Sequence, residues 1–461
     1  MTATQSLSAD GRVIRHWAPE DDSFWEREGR RVARRNLWIS IPALFLAFAV
    51  WMIWSVVAAF MPAAGFDFTT GQLFWLAALP GLSGATFRVF YSFMVPIFGG
   101  RKWTTISTAS LLIPALGIGF ALQNPDTPYW IFLILSLACG FGGGNFASSM
   151  ANISFFFPKR EKGNALALNA GLGNLGVSGL QFAAPLVITA AVFGAIGGPP
   201  AVDSGDSTIW LQNAAFIWVP FIVLSSIAAW FGMNDLASAK ASFADQAAIF
   251  RRKHNWVMCW LYVGTFGSFI GYSAALPLLA RTQFPDVESL QIAFIGPLLG
   301  ALTRAGSGWI ADRFGGGRVT LWVFVGMALG VVGVIFFVNA GMFWGFFLTF
   351  LVLFSLTGVG NASTFQMIPV IFLTERTRAM AGTATDADEI RRTADRESAA
   401  TIGFTSAIAA YGAFFIPQGF GTSLALTGSP EAALIAFLAF YATCIAVTWW
   451  FYTRKNAEIP C

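Results

Sequence analysis

The sequence contains few charged residues. Asp, Glu, Lys and Arg together make up 11% of the 461 residues, whereas a soluble chain of this size carries roughly a quarter. Hydrophobic residues reach 56% of the chain. This balance excludes an ordinary soluble domain and predicts an integral membrane protein.

Cysteine and histidine are also scarce, and the familiar catalytic motifs are absent. The four cysteines have no metal-ligand spacing, and three of them lie in apolar stretches, where free thiols pack as small hydrophobic groups. The chain has no P-loop, no GxSxG elbow, no HExxH pair and no dinucleotide fingerprint. We therefore expect neither an enzyme nor a cofactor, and no nucleic-acid partner.

Twelve apolar stretches are each about as long as a bilayer crossing requires, roughly 20 residues. Lipid offers no hydrogen-bond partner to an open backbone, so each stretch should form a helix. The predicted spans are Leu37–Met61, Gly71–Phe98, Trp103–Gln123, Tyr129–Phe157, Leu166–Val192, Trp210–Met233, Trp256–Leu279, Leu290–Ala311, Val319–Val338, Phe343–Phe372, Thr401–Leu424 and Ala433–Tyr452.

The basic residues predict the orientation of the chain. With twelve spans both termini share one side, and that side carries all of the 28 Lys and Arg residues except Arg88, Arg281 and Arg304. Because positive charge accumulates on the cytoplasmic side, both termini are expected in the cytoplasm.

The two halves of the chain resemble each other at one constant offset. Arg88 and Arg304 are 216 residues apart, and the same offset relates Gly144-Asn145 to Gly360-Asn361 and Phe98-Gly99-Gly100 to Phe314-Gly315-Gly316. A shared offset across several motifs indicates an internal repeat of six spans. We therefore predict an all-α membrane protein with twelve transmembrane helices in two pseudo-symmetric halves.

This repeat gives a predicted division of the chain into five parts. They are a cytoplasmic tail at 1–36, a first six-helix half at 37–233, a cytoplasmic linker at 234–255, a second six-helix half at 256–453 and a cytoplasmic tail at 454–461.

Arg88 and Arg304 are the strongest functional clue, because each lies inside an apolar span. An arginine at the centre of a spanning helix costs about 2.5–3.5 kcal/mol on insertion scales. Two of them, with no carboxylate nearby in sequence, indicate a bound anion. The guanidinium group is planar, permanently charged and fork-shaped, so it suits a flat oxyanion.

Several motifs carry a family resemblance. The stretch Gly308–Arg318 resembles the inner-loop motif of the major facilitator superfamily, and Phe98–Lys102 is a degenerate copy of it. The glycine-rich stretch from Gly140 to Gly179 resembles the nitrate signature of the nitrate/nitrite porter family, in particular its bacterial NarK-like members. Further matching stretches are Arg35–Pro42, Tyr91–Gly100, Thr265–Gly271, Ser363–Met367 and Ser423–Pro430.

The resemblance implies the major facilitator fold and a carrier that exchanges nitrate for nitrite by alternating access across a bacterial inner membrane. Its partners would then be these two anions and the lipid bilayer, and a monomer is expected. It further implies that paired arginines clamp the anion. The site residues that it implies are Arg88 and Arg304 for the clamp, Phe146, Tyr262 and Phe266 for the pocket walls, and Asn174, Gly171 and Ser406 for polar contacts.

Two alternatives remain open at this stage. No Asp, Glu or His falls within a predicted span, and proton-coupled carriers usually place such a group there. Anion exchange is therefore the favoured interpretation, and a nitrate/proton symporter is the first alternative. The second alternative is a nitrate sensor that does not transport, in which the predicted loop Leu373–Ser398 would be a signalling module.

Overall fold

A computed structural model describes residues 12–200, 202–203, 208–239, 248–380 and 387–461. It is built almost entirely of helices. In chain order they are α1 (Asp22–Phe60), α2 (Thr70–Tyr91), α3 (Gly100–Ala121), α4 (Tyr129–Phe156), α5 (Lys159–Val187), α6 (Asn213–Gly232), α7 (Lys253–Gln283), α8 (Ile295–Gly306), α9 (Gly316–Asn339), α10 (Phe343–Ala379), α11 (Ala387–Thr427) and α12 (Glu431–Thr453).

Ten of these helices in the described ranges are long and apolar enough to cross a membrane, and each overlaps a predicted span. The other two, α5 and α8, occupy the fifth and eighth predicted spans. Helix α5 begins with the charged residues Lys159-Arg-Glu-Lys162, and α8 has only 12 residues, followed after Ser307 by the short helix Gly308–Phe314. The prediction of an all-helical membrane protein is therefore confirmed.

The described part of the chain also contains four two-residue strands. Strand β1 (Val13–Ile14) pairs in parallel with β4 (Asp235–Leu236), and β2 (Val202–Asp203) pairs antiparallel with β3 (Thr208–Ile209). The β1–β4 pair fastens the segment that precedes α1 to the segment that follows α6.

The chain divides into two compact units. The first comprises residues 1–241 together with Ser289–Phe294, and the second comprises Ser242–Glu288 together with Ile295–Cys461. Helices α1 to α6 thus belong to the first unit and α7 to α12 to the second. The short 3-10 helix Ser289–Gln291 overlaps the start of the predicted eighth span, Leu290–Ala311, but groups with the first unit.

The segment before the first predicted span is ordered into the first unit. Trp25 is fully buried, and its Nε1 donates a hydrogen bond to Glu161 Oε1 at 2.9 Å. Ile14 and Phe156 belong to the same buried apolar cluster. The helix therefore begins at Asp22, well before the apolar run that starts at Leu37.

The prediction of a loop at Leu373–Ser398 is wrong for the residues that the structure describes. Helix α10 continues to Ala379, and α11 begins by Ala387. Glu397 lies within α11, only 4% exposed. Arg252 Nη2 lies 3.0 Å from Glu397 Oε1, and Arg376 Nε donates to Glu397 Oε2 at 2.8 Å. This ion cluster joins the start of α7 to the last turn of α10 and to the N-terminal part of α11, which explains how a charged segment stays helical.

The two units repeat one local geometry at the offset seen in the sequence. Gly99 has φ of 90° and Gly315 has φ of 85°, a region that favours glycine because it lacks a Cβ. Each glycine precedes a helix, α3 and α9 respectively. Asp235 Oδ1 accepts from the N–H of Arg101 at 2.8 Å, and the carbonyl oxygen of Cys461 accepts from the N–H of Gly317 at 3.1 Å. An acceptor thus stabilises the equivalent helix start in each unit.

The close approach of α1 and α4 yields a stability prediction. A Cβ added at Gly142 would lie 2.1 Å from the carbonyl oxygen of Ala47, so backbone has to move. We expect Gly142→Ala to lower stability by about 1–3 kcal/mol, the usual cost of overpacking, and to lower the melting temperature of the detergent-solubilised protein by several degrees. Gly163→Ala is the matched control, because no atom lies within 4 Å of its added Cβ in the described chain. Equal melting temperatures for the two variants would contradict the tight crossing.

Candidate functional site

Arg88 is completely buried in the first unit, on helix α2. Its Nε donates to the carbonyl oxygen of Gly143 on α4 at 2.8 Å. Its Cζ lies 4.7 Å from the ring centroid of Phe146 and 5.1 Å from that of Trp51. A cation over an aromatic face is stabilised by the ring quadrupole, and more strongly where water is excluded. One carbonyl and two rings therefore replace part of the water that this guanidinium group loses.

Glycines bring the carbonyl of Gly143 within reach of Arg88. A Cβ at Gly143 would lie 2.6 Å from the Cα of Gly84 on α2. Small residues at such a crossing allow two helix backbones to approach closely. The glycine-rich stretch thus acts locally, by placing a backbone acceptor beside the arginine.

Proline and serine complete the support of α2. Pro80 has no N–H, so the carbonyl of Leu76 loses its helical donor. The hydroxyl of Ser136 on α4 donates to that carbonyl at 2.7 Å. Trp51 Nε1 donates to the carbonyl of Pro80 at 2.6 Å, and this bond holds the indole that faces Arg88.

Arg304 lies on α8 in the second unit and is partly buried. Its Cζ is 5.2 Å from the ring centroid of Phe365 and 5.9 Å from that of Phe266. Its Nη1 is buried and has no hydrogen-bond partner among the residues that the structure describes. A buried guanidinium donor without an acceptor is costly, and an anion is the kind of ligand that would satisfy it.

Tyr262 stacks between two phenylalanines in the same unit. Its ring centroid lies 5.4 Å from that of Phe266 at an interplanar angle of 8°, and 4.6 Å from that of Phe365 at 22°. Phe266 lies in a π-helical turn, Val263–Gly267, inside α7. Such turns occur frequently at functional sites, because the extra residue redirects side chains on the helix.

The remaining predicted residues lie on α5 and α11. Asn174 is 1% exposed, and neither its Oδ1 nor its Nδ2 has a hydrogen-bond partner within the described residues. Gly171, one turn earlier, would meet no described atom within 4 Å if it carried a Cβ. Ser406 is buried, and its Oγ donates to the carbonyl of Gly403 at 2.9 Å.

Within each unit the structure therefore brings together part of the predicted set. Phe146 lies against Arg88, and Phe266 lies against Arg304 and Tyr262. The sequence interpretation missed Trp51, Phe365 and the carbonyl of Gly143. Phe365 lies in the matching stretch Ser363–Met367, so the resemblance offered a signal for it. Trp51 offered none, because it is one of 18 tryptophans in an apolar chain.

The chemistry of this arrangement is that of binding. In the described part of the chain no group of three or more His, Cys, Asp or Glu residues is placed to hold a metal ion. The charged groups beside the rings of Phe146, Phe266 and Phe365 are guanidinium cations, a group that can bind planar anions through paired N–H donors.

Comparison with known proteins defines the family. The family model described as Major Facilitator Superfamily matches residues 43–387. "Nitrate/nitrite transporter NarU" of Salmonella typhimurium is 52% identical over 450 residues, which cover 97% of each chain. NarU of Escherichia coli is 52% identical over 459 residues, covering 98% of this chain and 99% of its own.

A third relative is more distant but equally complete. "Probable nitrate/nitrite antiporter NarK2" of Thermus thermophilus is 41% identical over 465 residues, covering 98% of this chain and 99% of its own. The alignments run through nearly the whole chain, as the sequence motifs implied. This chain is a multi-pass membrane transporter and belongs to the nitrate/nitrite porter family of the major facilitator superfamily.

Proposed function

We propose that this chain exchanges nitrate for nitrite by alternating access across a bacterial inner membrane. On this proposal it acts as a monomer with both termini in the cytoplasm, and its halves are 37–233 and 256–453. The relatives NarU and NarK2 support the substrates by their names, and NarK2 is named as an antiporter. The observation that carries the proposal is a pair of guanidinium groups in apolar helices, each lying against aromatic rings.

The proposed anion site uses the guanidinium groups of Arg88 and Arg304. Arg88 is oriented by its bond to Gly143 and by two rings, and Arg304 offers a buried donor on Nη1. Nitrate and nitrite are flat and carry their charge on oxygen, so they match the planar fork of a guanidinium group.

The other residues of the proposed site have distinct roles. Phe146, Tyr262 and Phe266 would form walls against the flat faces of the anion. Asn174 supplies a buried amide whose donor and acceptor are both unused within the described residues, and Gly171 beside it keeps the space open. Ser406 would add a hydroxyl on α11.

Exchange is favoured over proton symport by the surroundings of the buried acids. Glu397 is held by Arg252 and Arg376, and Asp235 is held by Arg101. Both carboxylates already serve as counter-ions to arginines, and both lie outside the predicted spans, whereas proton-coupled carriers usually place such a group within a span. A bound anion then has to serve as the coupling particle in both directions.

The first prediction separates exchange from symport. In proteoliposomes, we expect uphill nitrate uptake only when nitrite or nitrate is present inside, because no Asp, Glu or His lies within a predicted span to carry a proton. The measurement is uptake of labelled nitrate under an imposed pH gradient, with and without internal nitrite. Strong uptake into nitrite-free vesicles driven by the pH gradient alone would establish symport and contradict the exchange proposal.

A second prediction tests the shape of the cations as well as their charge. Arg88→Lys and Arg304→Lys keep the charge but lose the planar fork, and charge-assisted hydrogen bonds are worth roughly 1.5–3 kcal/mol. We expect each variant to lower exchange by at least about tenfold. Arg391→Lys, at an exposed position on α11, is the matched control. Normal exchange in both site variants would show that a positive charge alone is enough to bind the anion, and that the planar shape of the guanidinium group is not needed.

A third prediction concerns Phe365, which supports Arg304 and stacks on Tyr262. Cation–π contacts contribute roughly 0.5–2 kcal/mol, so Phe365→Ala should raise the KM for nitrate by a factor of about 3 to 30. Phe415→Ala removes an exposed ring of the same unit and serves as the control. Matching KM values for the two variants would mean that Phe365 is only a packing residue.

A further inference from the structure

Helix α3, in the first unit, is interrupted near its midpoint. Its two parts are Gly100–Ala109 and Leu112–Ala121, with a turn at Ser110-Leu111 between them. The cause is Pro114, which has no N–H for the carbonyl of Ser110 and whose ring crowds that carbonyl. The N–H of Ile113 donates to the carbonyl of Ser110 instead, at 3.1 Å.

The interruption leaves the carbonyl of Ser107 to side chains. The backbone N–H of Leu111 donates to the carbonyl oxygen of Thr108 rather than to that of Ser107. The Ser107 carbonyl accepts from Ser110 Oγ at 2.8 Å and from Asn145 Nδ2, on α4, at 3.3 Å. The Nδ2 of Asn145 is therefore bonded to the broken helix, and its Oδ1 still needs a hydrogen-bond donor.

A small polar cavity lies at this break, between α1, α3 and α4. It measures about 10 Å³, counted as the space open to the centre of a water molecule. All of its lining residues are buried, and seven of the nine are polar. They are Ser40, Ala43, Leu44, Thr104, Ser107, Thr108, Asn145, Ser148 and Ser149.

Two polar atoms on this lining lack a partner. Asn145 Oδ1 and Thr108 Oγ1 are buried, and neither has a hydrogen-bond partner in the described part of the chain. The side chains are 5% and 0% exposed. Each buried polar atom left unsatisfied costs about 1–3 kcal/mol. By contrast, the hydroxyl oxygens of Ser40 and Ser149 lie 2.9 Å apart and share a hydrogen bond.

We propose that the first unit holds one water molecule in this cavity, bound to Asn145 Oδ1 and Thr108 Oγ1. The volume is at the lower bound for a single water, roughly 10–15 Å³ on this measure, and a buried water needs two to four polar partners. A cation fits the site less well, because no carboxylate lines the cavity. The water completes the hydrogen bonds of the α3 break and joins α3 to the helix that carries Phe146.

The second unit shows why the site belongs to the first. At the repeat offset, Ser107 and Thr108 become Val323 and Phe324, and Pro114 becomes Gly330. Helix α9 is continuous from Gly316 to Asn339, and Phe324 is fully buried. A continuous backbone and an aromatic ring thus occupy the place of the break and the cavity. The break in α3 and its water site are therefore a difference between two otherwise similar halves.

The test is radiolytic hydroxyl-radical labelling of the full-length protein, read residue by residue by mass spectrometry. Radicals formed from a bound water label the side chains beside it, even where bulk solvent is excluded. Leu44 lines the cavity and is 1% exposed, whereas Leu180 is 0% exposed and lies outside the lining. We expect Leu44 to be oxidised severalfold faster than Leu180. Equal rates for the two leucines in the wild-type protein would overturn the proposal.

Variants identify the ligand of the cavity. Thr108→Val removes the hydroxyl at nearly constant volume, so it should lower labelling of Leu44 to the level of Leu180. Thr105→Val is the control, because its hydroxyl bonds to the carbonyl of Arg101 on the same helix and does not line the cavity. Labelling of Leu44 that changes when Na⁺ is replaced by choline would identify a cation instead and overturn the proposal. The wild-type comparison decides the question even if Thr108→Val does not fold.

Discussion

The need to stabilise a guanidinium group inside an apolar helix governs the structure. A guanidinium group stays charged at neutral pH, and Arg88 is completely buried. It is stabilised by the Gly143 carbonyl and by the rings of Phe146 and Trp51. That carbonyl is close enough only because glycines meet where α2 crosses α4. The glycine-rich stretch, the proline in α2 and the tryptophan on α1 are thus parts of one solution to one electrostatic cost.

The second unit solves the same problem with different groups. Arg304 lies against Phe365 and Phe266, and Tyr262 stacks between those rings. The framework shared by both halves, including the positive-φ glycines before α3 and α9, positions the helices. The side chains packed between the helices then differ. The clearest case is the break in α3, because the equivalent position in the second unit holds the buried ring of Phe324. We infer that the repeat preserves helix packing, while individual side chains give each half its own chemistry.

Sequence reasoning succeeds here where a cost or a periodic pattern is local. Apolar length predicts the helices, and a charge inside such a run identifies Arg88 and Arg304 directly. It fails where the decisive contact is distant in sequence. The sequence predicts a loop around Glu397 because charged residues surround it, yet Glu397 is buried within α11, where it pairs with Arg252 and Arg376. Residue type could not single out Trp51 or Phe365 in a chain that is 16% aromatic. The fold places both beside an arginine, and only Phe365 had a further signal, from its place in a stretch that matches the family.

On the proposed function, the central claim is that a bound anion permits a change of state that the empty carrier rarely makes. Two guanidinium cations repel each other where water is scarce, and an anion bound to both arginines would replace this repulsion with attraction. Such differential stabilisation is what a ligand needs to drive a conformational change. The most direct measurement is nitrate efflux from loaded proteoliposomes into anion-free buffer and into nitrite. The account predicts efflux that is much faster into nitrite, and equal rates would contradict it.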